Sequence, residues 1–352
     1  MLRSLQPAHA RFHRYGSLLL FVLLVTLFAV IFAGRTPAHA AYSLLVAKDG
    51  TGNYTTVQAA INAVAANNNQ HVVIYIKNGV YSEVVTVPSN KPHITLFGQS
   101  SGSTIITFNN YSGKAKPDGT LYGTGDSATV LVSAPDFTAI NVTFENSHGS
   151  GAQAVAIRVN GDRAVFYNCH FLGYQDTLYA DNLGRQYYVN SYIRGAVDFI
   201  FGNATAVFDT VEVHTVGTGY ITAQSRTSSS QTSGYVFTNS KLTTDSTSYK
   251  TFLGRPWRPY SRVVYLNTSM AGHITPAGWD NWGNTANEAT AYYAEYNSSG
   301  AGANASARVS WSHQLTSSQA GAYSTTNFLN QDGWLTTAMN YVNSLLALGF
   351  QS

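Results

Sequence analysis

A short pattern that recurs along the chain restricts the fold more than any other feature of the sequence. Apolar or aromatic residues followed by Asn or Asp occur at Phe144-Glu145-Asn146, Phe166-Tyr167-Asn168, Tyr188-Val189-Asn190, Val207-Phe208-Asp209, Phe237-Thr238-Asn239 and Tyr265-Leu266-Asn267. The first three Asn lie 22 residues apart, and the later intervals are 19, 30 and 28 residues. A period of roughly 20 to 30 residues made of short strands is typical of a solenoid, in which each turn stacks on the previous one.

The segments between clusters of Gly, Asn, Asp and Ser have the composition of short strands. Strands are predicted at 71–76, 94–97, 127–132, 139–144, 164–171, 186–193, 206–213, 234–242 and 262–270. Strands stacked turn upon turn run parallel, and connections between parallel strands are nearly always right-handed. The sequence therefore predicts an all-β fold, a right-handed parallel β-helix, in which stacked Asn amides hydrogen-bond between turns about 4.8 Å apart.

Two segments, 57–64 and 336–348, are predicted to be helical. The ends of a solenoid need caps, because an uncovered end would leave core residues in water and offer an open strand edge. We expect the amphipathic segment 57–64 to cap one end of the β-helix.

Residues 1–40 have the composition of an export signal. They contain four arginines and no acid, and an apolar run at 16–33 precedes Ala38-His39-Ala40. Small residues at the two positions that a signal peptidase reads predict cleavage after Ala40 and secretion. We expect the remainder, 41–352, to form a single domain without stable membrane association. The alternative is an uncleaved anchor, because the apolar run approaches the roughly 18 residues at which a membrane span becomes possible.

The charge and the single cysteine exclude several classes of function. Four of the 20 basic residues lie in 1–40, which leaves 16 bases against 17 acids and a net charge of −1 for the remainder. A nearly neutral domain without basic runs gives no electrostatic footprint for nucleic acid. Cys169 has no partner for an internal disulfide, and the His residues lack metal-ligand spacing. We expect that the protein needs neither a metal nor a cofactor. We also expect it to be a monomer.

Two polar pairs repeat at the interval of the solenoid. Gln153 and Gln175 are 22 residues apart, as are Asp176 and Asp198. Equivalent positions on adjacent turns would bring the four side chains onto one surface. Two close carboxylates resist ionising together, so one pKa rises towards that of a general acid while the other group remains a base or a nucleophile.

The groups around such a pair suggest which reaction it supports. A guanidinium paired with one carboxylate would keep it ionised, and Arg255 is the candidate for this role. Two amide side chains would supply neutral N–H donors to a developing oxyanion. This combination points to acyl transfer at an ester or amide carbonyl.

Three stretches resemble the signature motifs of pectin methylesterases, in the family's order and at its usual spacings. They are Gly-Tyr-Gln-Asp-Thr-Leu-Tyr (173–179), Val-Asp-Phe-Ile-Phe-Gly-Asn-Ala (197–204) and Leu-Gly-Arg-Pro-Trp (253–257). Weaker matches lie at 49–54, 79–83, 127–130, 153–158 and 276–279, so the resemblance covers nearly all of 43–335. It implies hydrolysis of galacturonate methyl esters in pectin, with methylated homogalacturonan as the partner, by a form without the inhibitor-like pro-domain of plant relatives.

The resemblance also implies roles for individual residues. Asp198 would attack the ester carbonyl, and Asp176 would protonate the departing methanol and then activate water. Gln153 and Gln175 would stabilise the oxyanion. Arg255 would bind the nucleophile, and we expect this pairing to hold the pKa of Asp198 low.

Further residues are assigned to substrate binding by the same resemblance. Thr124 lies near the position of a substrate-binding threonine, although Gly125 stands where the family more often has Phe. The aromatic residues assigned to the sugar groove are Tyr179, Phe201, Trp257 and Trp279.

Two other functions are compatible with parts of this pattern. A β-helical glycosidase could use two carboxylates about 5 Å apart for retaining cleavage of the same polymer, although the two glutamines argue against it. A non-catalytic carbohydrate-binding β-helix would have no use for the combination of Asp176, Asp198 and Arg255. Methanol release without new reducing ends distinguishes the esterase from both.

Overall fold

The computed structural model describes residues 43–349. The predicted export signal at 1–40 lies outside the described residues. Among residues 43–349, no helix has both the length and the apolar character needed to cross a membrane.

The chain folds into a right-handed parallel β-helix, as the repeat predicts. Over residues 43–349, its first face is a sheet of eleven strands whose neighbours are all parallel. The strands of the first face are β1 Leu44–Val46, β2 Val72–Ile76, β5 Ile94–Gly98, β8 Thr138–Ile140, β11 Ala164–Tyr167, β14 Arg185–Val189, β16 Thr205–Asp209, β18 Gly234–Thr238, β21 Arg262–Leu266, β23 Tyr292–Tyr296 and β24 His313–Gln314.

The second and third faces meet in two long strands, β15 Tyr192–Gly202 and β17 Glu212–Gln224, whose pairing contains register shifts. The second face also contains β3 Gly79–Ser82, β6 Thr104–Phe108, β9 Thr143–Asn146, β12 His170–Leu172, β19 Lys241–Thr244 and β22 Ser269–Met270. The third face also contains β4 Val85–Val87, β7 Val130–Val132, β10 Ile157–Val159, β13 Leu178–Ala180 and β20 Thr251–Gly254. Short 3₁₀ helices lie at Gly125–Ser127, Thr285–Ala289 and Ala305–Ala307.

Six of the predicted strands are wrong in extent, because each covers two strands that meet at a corner. The corners within 139–144, 164–171, 186–193, 206–213, 234–242 and 262–270 are Asn141, Asn168, Asn190, Thr210, Asn239 and Asn267. The five Asn have φ between 49° and 56°, the left-handed region that Asn tolerates better than most residues. The predicted strand 127–132 is also too long, since Ser127 belongs to a 3₁₀ helix.

The predicted Asn stacking is present at some corners, but Asn146 does not belong to it. Asn168 Nδ2 donates to Asn141 Oδ1 at 2.7 Å, and Asn297 Nδ2 donates to Asn267 Oδ1 at 2.9 Å. Asn146 is instead the last residue of β9; it is buried, and its Nδ2 donates to the Asn110 carbonyl at 2.8 Å. The 22-residue interval from Asn146 to Asn168 therefore does not connect equivalent positions.

A column of aromatic rings fills the interior behind the first face. Its members are fully buried and come from five consecutive strands: Phe166, Tyr188, Phe208, Phe237 and Tyr265. Successive rings stack with centroids 4.5 to 4.9 Å apart. One ring per turn therefore ties adjacent turns together and fixes the register that positions the site on the third face.

In the described part of the chain, four helices flank the solenoid: α1 Val57–Ala63, α2 Ser317–Gly321, α3 Thr325–Leu329 and α4 Trp334–Ala347. Helix α1 lies against the first strands and buries Val57, Ala60 and Ile61, as expected of a cap. Helix α4 confirms the predicted helix near 336–348. Its Trp334, Leu335, Val342 and Leu345 pack with α2, α3 and the outer side of the first face rather than over the end of the solenoid.

Candidate active site

The two aspartates lie side by side on the third face. Gln175 bridges Val197, and Leu178 pairs with Ile200, so that Asp176 stands opposite Asp198 on adjacent turns. Both residues are 6% exposed. Both have positive φ, 64° for Asp176 and 48° for Asp198, a conformation that concentrates at functional sites. The sequence interval of 22 residues thus corresponds to one turn of the solenoid here.

Arg255 follows β20 and binds Asp198 with both arms of its guanidinium. Nε donates to Oδ1 at 2.9 Å, and Nη2 donates to Oδ2 at 2.6 Å. The guanidinium carbon lies 3.8 Å from the ring centroids of both Tyr220 and Trp282. Cation–π contacts on its two faces and the bidentate ion pair together restrict its orientation.

The surroundings of the two carboxyl groups separate their proton affinities. Burial, reinforced by the charge of Asp198, raises the pKa of Asp176 to about 8, although the charge of Arg255 opposes this shift. Burial also raises the pKa of Asp198, against the hydrogen bonds and charge of Arg255. The expectation of a low pKa for Asp198 is therefore wrong, because desolvation outweighs the ion pair. Arg255 donates directly to Asp198, so of the two carboxyl groups Asp176 retains a proton more readily.

Most of the residues assigned from the sequence line one cavity of about 380 Å³. These are Thr124, Gln153, Gln175, Asp176, Tyr179, Asp198, Phe201, Arg255 and Trp257. Within residues 43–349, the side-chain amides of Gln153 and Gln175 form no hydrogen bond, so their N–H groups are available to a substrate. No three His, Cys, Asp or Glu side chains in this part of the chain come together as a metal site.

An aromatic wall borders the carboxylates. The rings of Tyr179 and Phe201 stack at 4.2 Å, and Trp257 lies 6.0 Å from Phe201. Phe201 is 3% exposed, so it chiefly supports the more open rings of Tyr179 and Trp257. Such a wall suits the apolar faces of sugar rings.

The assignment of Trp279 to the groove is wrong. Trp279 is 1% exposed, its ring stacks on Tyr293 at 4.3 Å, and it belongs to the hydrophobic core. Its backbone bridges Gly254 at the end of β20. Trp282 lines the cavity instead and is 38% exposed. The sequence places a second Trp three residues after the first, but spacing alone does not show which one faces the substrate.

Two further cavity residues were missed by sequence reasoning. Arg158 lines the cavity, with Nη2 2.8 Å from Asp181 Oδ2 and its guanidinium carbon 4.8 Å from the Tyr179 ring. A Cβ on Gly125 would lie 2.6 Å from Arg158 Nη1, so the absence of a side chain there makes room for the guanidinium. Asp126 also lines the cavity, paired with Lys116 at 2.9 Å.

The arrangement combines a buried carboxylate pair of unequal acidity, a guanidinium on one member and two available amide donors. These are the groups that acyl transfer at a carbonyl requires. Fold and site together define a carboxylic ester hydrolase built on a parallel β-helix.

The chain belongs to the pectinesterase family, whose model, described as Pectinesterase, matches residues 43–332. Pectinesterase 31 of Arabidopsis thaliana is 45% identical over 293 residues, which is 82% of this chain and 92% of that protein. The structure of pectin methylesterase from carrot matches with a TM-score of 0.79 and 38% identity, covering 85% of this chain and 96% of the carrot chain. A pectin methylesterase in complex with hexasaccharide VII matches with a TM-score of 0.71 and 33% identity, covering 82% of this chain and 97% of the chain in that complex.

Proposed function

We propose that the protein hydrolyses the methyl esters of galacturonate residues in pectin, with Asp198 as the nucleophile and Asp176 as the acid and base. The observation that carries this proposal is the bidentate pairing of Asp198 with Arg255 beside an Asp176 whose pKa is raised to about 8. The raised pKa keeps Asp176 protonated at neutral pH, and the ion pair with Arg255 favours the ionised form of Asp198, which together give the starting state for acyl transfer.

In the first half of the reaction, a carboxylate oxygen of Asp198 bonds to the ester carbon. The carbonyl electrons move to the oxygen, and the N–H groups of Gln153 and Gln175 stabilise the oxyanion. As the tetrahedral intermediate collapses, the bond to the methoxy group breaks, and the proton of Asp176 goes to the leaving oxygen to give methanol. The product is an anhydride between Asp198 and the sugar carboxyl group.

In the second half, ionised Asp176 takes a proton from water as the water oxygen attacks the sugar acyl carbon. The bond to Asp198 breaks, and the galacturonate carboxyl group is released. Asp198 is again ionised and paired with Arg255, and Asp176 is again protonated. Substrate binding is assigned to Thr124 and to the aromatic wall of Tyr179, Phe201 and Trp257, with Trp282 added from its place in the cavity.

The proposal extends to the oligomeric state, the location and the substrate of the protein. The domain at 41–352 acts as a monomer, outside the cell after cleavage near Ala40, on methylated homogalacturonan. The comparison structure with a hexasaccharide supports a groove that takes several sugars, as does the row of rings beside the carboxylates.

The test is incubation of the purified protein with highly methylated pectin. The expected result is release of methanol and acid in equal amounts without an increase in reducing ends. New reducing ends without methanol would indicate glycoside cleavage and overturn the proposal, as would the absence of both products.

A further inference from the structure

Trp282 adopts an unusual backbone conformation at the edge of the cavity. Its φ is 62°, in the left-handed region where a bulky side chain is a rare outlier. The residue is also 38% exposed, so burial alone does not enforce this conformation. A residue held in this way at a functional site requires a local interaction that compensates for the strain.

The side chain of Asp280 provides that interaction. The backbone N–H of Trp282 donates to Asp280 Oδ1 at 2.7 Å, closing a turn of the kind in which Asp binds the backbone two residues on. The turn is fixed to the third face at its start, because Trp279 bridges Gly254 and the Asp280 N–H donates to the Gly254 carbonyl at 3.1 Å. Gly254 immediately precedes Arg255, so the turn and the guanidinium share one anchor.

We propose that Asp280 is a positioning residue, whose carboxylate holds Trp282 against the Arg255 guanidinium and thereby fixes the guanidinium on Asp198. This inference rests on the proposed function, since it assigns Asp198 the role of nucleophile. Without the Asp280 acceptor, Trp282 would relax to negative φ, and its ring would leave one face of Arg255. Tyr220 would then be the remaining ring against the guanidinium.

Asp280 also affects the site through its charge, which has to be separated from its role in the turn. The charge of Asp280 raises the pKa of Asp198, although less than burial does. The other charged or titratable groups around Asp198 are Asp176, Arg255 and the buried Tyr293. Removal of the charge alone should therefore favour ionisation of Asp198, whereas loosening of Arg255 should oppose it.

Two substitutions separate these effects. Asp280→Asn keeps an oxygen that accepts from the Trp282 N–H but removes the charge. Asp280→Ala removes both. Asp49→Ala is the matched control, because Asp49 Oδ1 accepts from the Thr51 N–H at 2.9 Å in an exposed turn. For each variant, kcat and KM for methanol release are measured across pH on methylated pectin, together with thermal unfolding.

For Asp280→Ala, kcat is expected to fall about tenfold, equivalent to about 1.4 kcal/mol. For Asp280→Asn, kcat is expected to stay within about twofold of wild type, as for Asp49→Ala. The acidic limb of kcat/KM should lie at higher pH in Asp280→Ala than in Asp280→Asn, since the alanine variant alone loosens Arg255. The acidic limb of Asp280→Asn should lie at the same pH as that of the wild type or at a lower pH.

The inference is overturned if Asp280→Ala retains wild-type kcat, if Asp280→Asn is as impaired as Asp280→Ala, or if the two acidic limbs coincide. If Asp280→Ala unfolds at a lower temperature but its acidic limb does not lie at higher pH than that of Asp280→Asn, the role of Asp280 is structural alone, and this also overturns the inference. Wild-type protein that releases no methanol would refute the proposed function itself. That outcome is distinct from an active wild type with an equally active alanine variant.

Discussion

Replacement of Arg255 by Gln tests how the site distinguishes its two aspartates. Asp198 is 6% exposed, and burial raises its pKa while Arg255 opposes the rise. Arg255→Gln removes the positive charge and one arm of the bidentate contact at 2.9 and 2.6 Å. The pKa of Asp198 should rise further, so that the carboxyl group becomes protonated, and inactive as a nucleophile, at a higher pH than in the wild type.

The size of the shift follows from the two hydrogen bonds. A hydrogen bond to a charged group contributes about 1.5 to 3 kcal/mol, so the lower value for both bonds gives about 3 kcal/mol. At 1.36 kcal/mol per pKa unit, their complete loss corresponds to about two units. Gln can still donate one neutral hydrogen bond, so we expect the acidic limb of kcat/KM to move upward by about one to two units, with a lower maximum. The limb reports the coupled pair rather than one group.

The assay is the initial rate of methanol release from methylated pectin at closely spaced pH values. Arg258→Gln is the control, because Arg258 is exposed and its guanidinium carbon lies 4.9 Å from the Trp257 ring rather than on a carboxylate. Its acidic limb should match that of the wild type. If Arg255→Gln raises KM but leaves the acidic limb in place, Arg255 binds substrate and does not set the proton affinity of Asp198.

Three further predictions rest on the structure and a fourth on the sequence of residues 1–40. Asp198→Ala should lower kcat by more than about 10²-fold while the circular dichroism spectrum is unchanged, and activity within about tenfold of wild type would refute the nucleophile assignment. The wild-type rate should fall on the alkaline side through about pH 8, where Asp176 loses the proton that methanol needs, and a rate that stays constant to about pH 10 would contradict this. Burial lowers the pKa of His273 from 6.5 to about 4, so the free energy of unfolding should fall by about 3 kcal/mol as the pH drops from 6.5 to 4, and His273→Gln should weaken that dependence in urea unfolding. N-terminal sequencing of exported protein should read Ala41 first, whereas a membrane-bound chain that begins at Met1 would support the anchor alternative.

The regular part of the solenoid could be predicted because it converts sequence intervals into contacts. Strands on adjacent turns pair in parallel, so residues one turn apart lie beside each other whatever the details of the loops. The interval between Asp176 and Asp198 therefore predicts a carboxylate pair from the sequence alone. The same reasoning failed for Asn146, because turns differ in length. Asn141 and Asn168 are 27 residues apart yet bonded, and the 22-residue interval from Asn146 has no structural counterpart.

The corners of the solenoid were missed for a different reason. A strand pattern continues through Phe166, Tyr167 and the residues after Asn168, and nothing in its hydrophobicity marks the bend. The bend depends on one residue entering the left-handed region, which Asn favours but Thr210 also adopts. Backbone conformation at a single residue is set by the strands on both sides, so local composition does not determine it.

The error at Trp279 and the omission of Trp282 show where prediction of the site stops. Both belong to one short segment, from which the sequence assigns Trp279 to the sugar groove. Trp279 continues the strand ladder and points into the core, whereas Trp282 follows a turn closed by Asp280 and faces the cavity. The pairing of the two carboxylates therefore follows from the periodic strands, but a contact of Arg255, the ring of Trp282, depends on an irregular turn. Since desolvation outweighs the ion pair at Asp198, the orientation of Arg255 bears on how far its charge offsets the cost of burying that carboxylate.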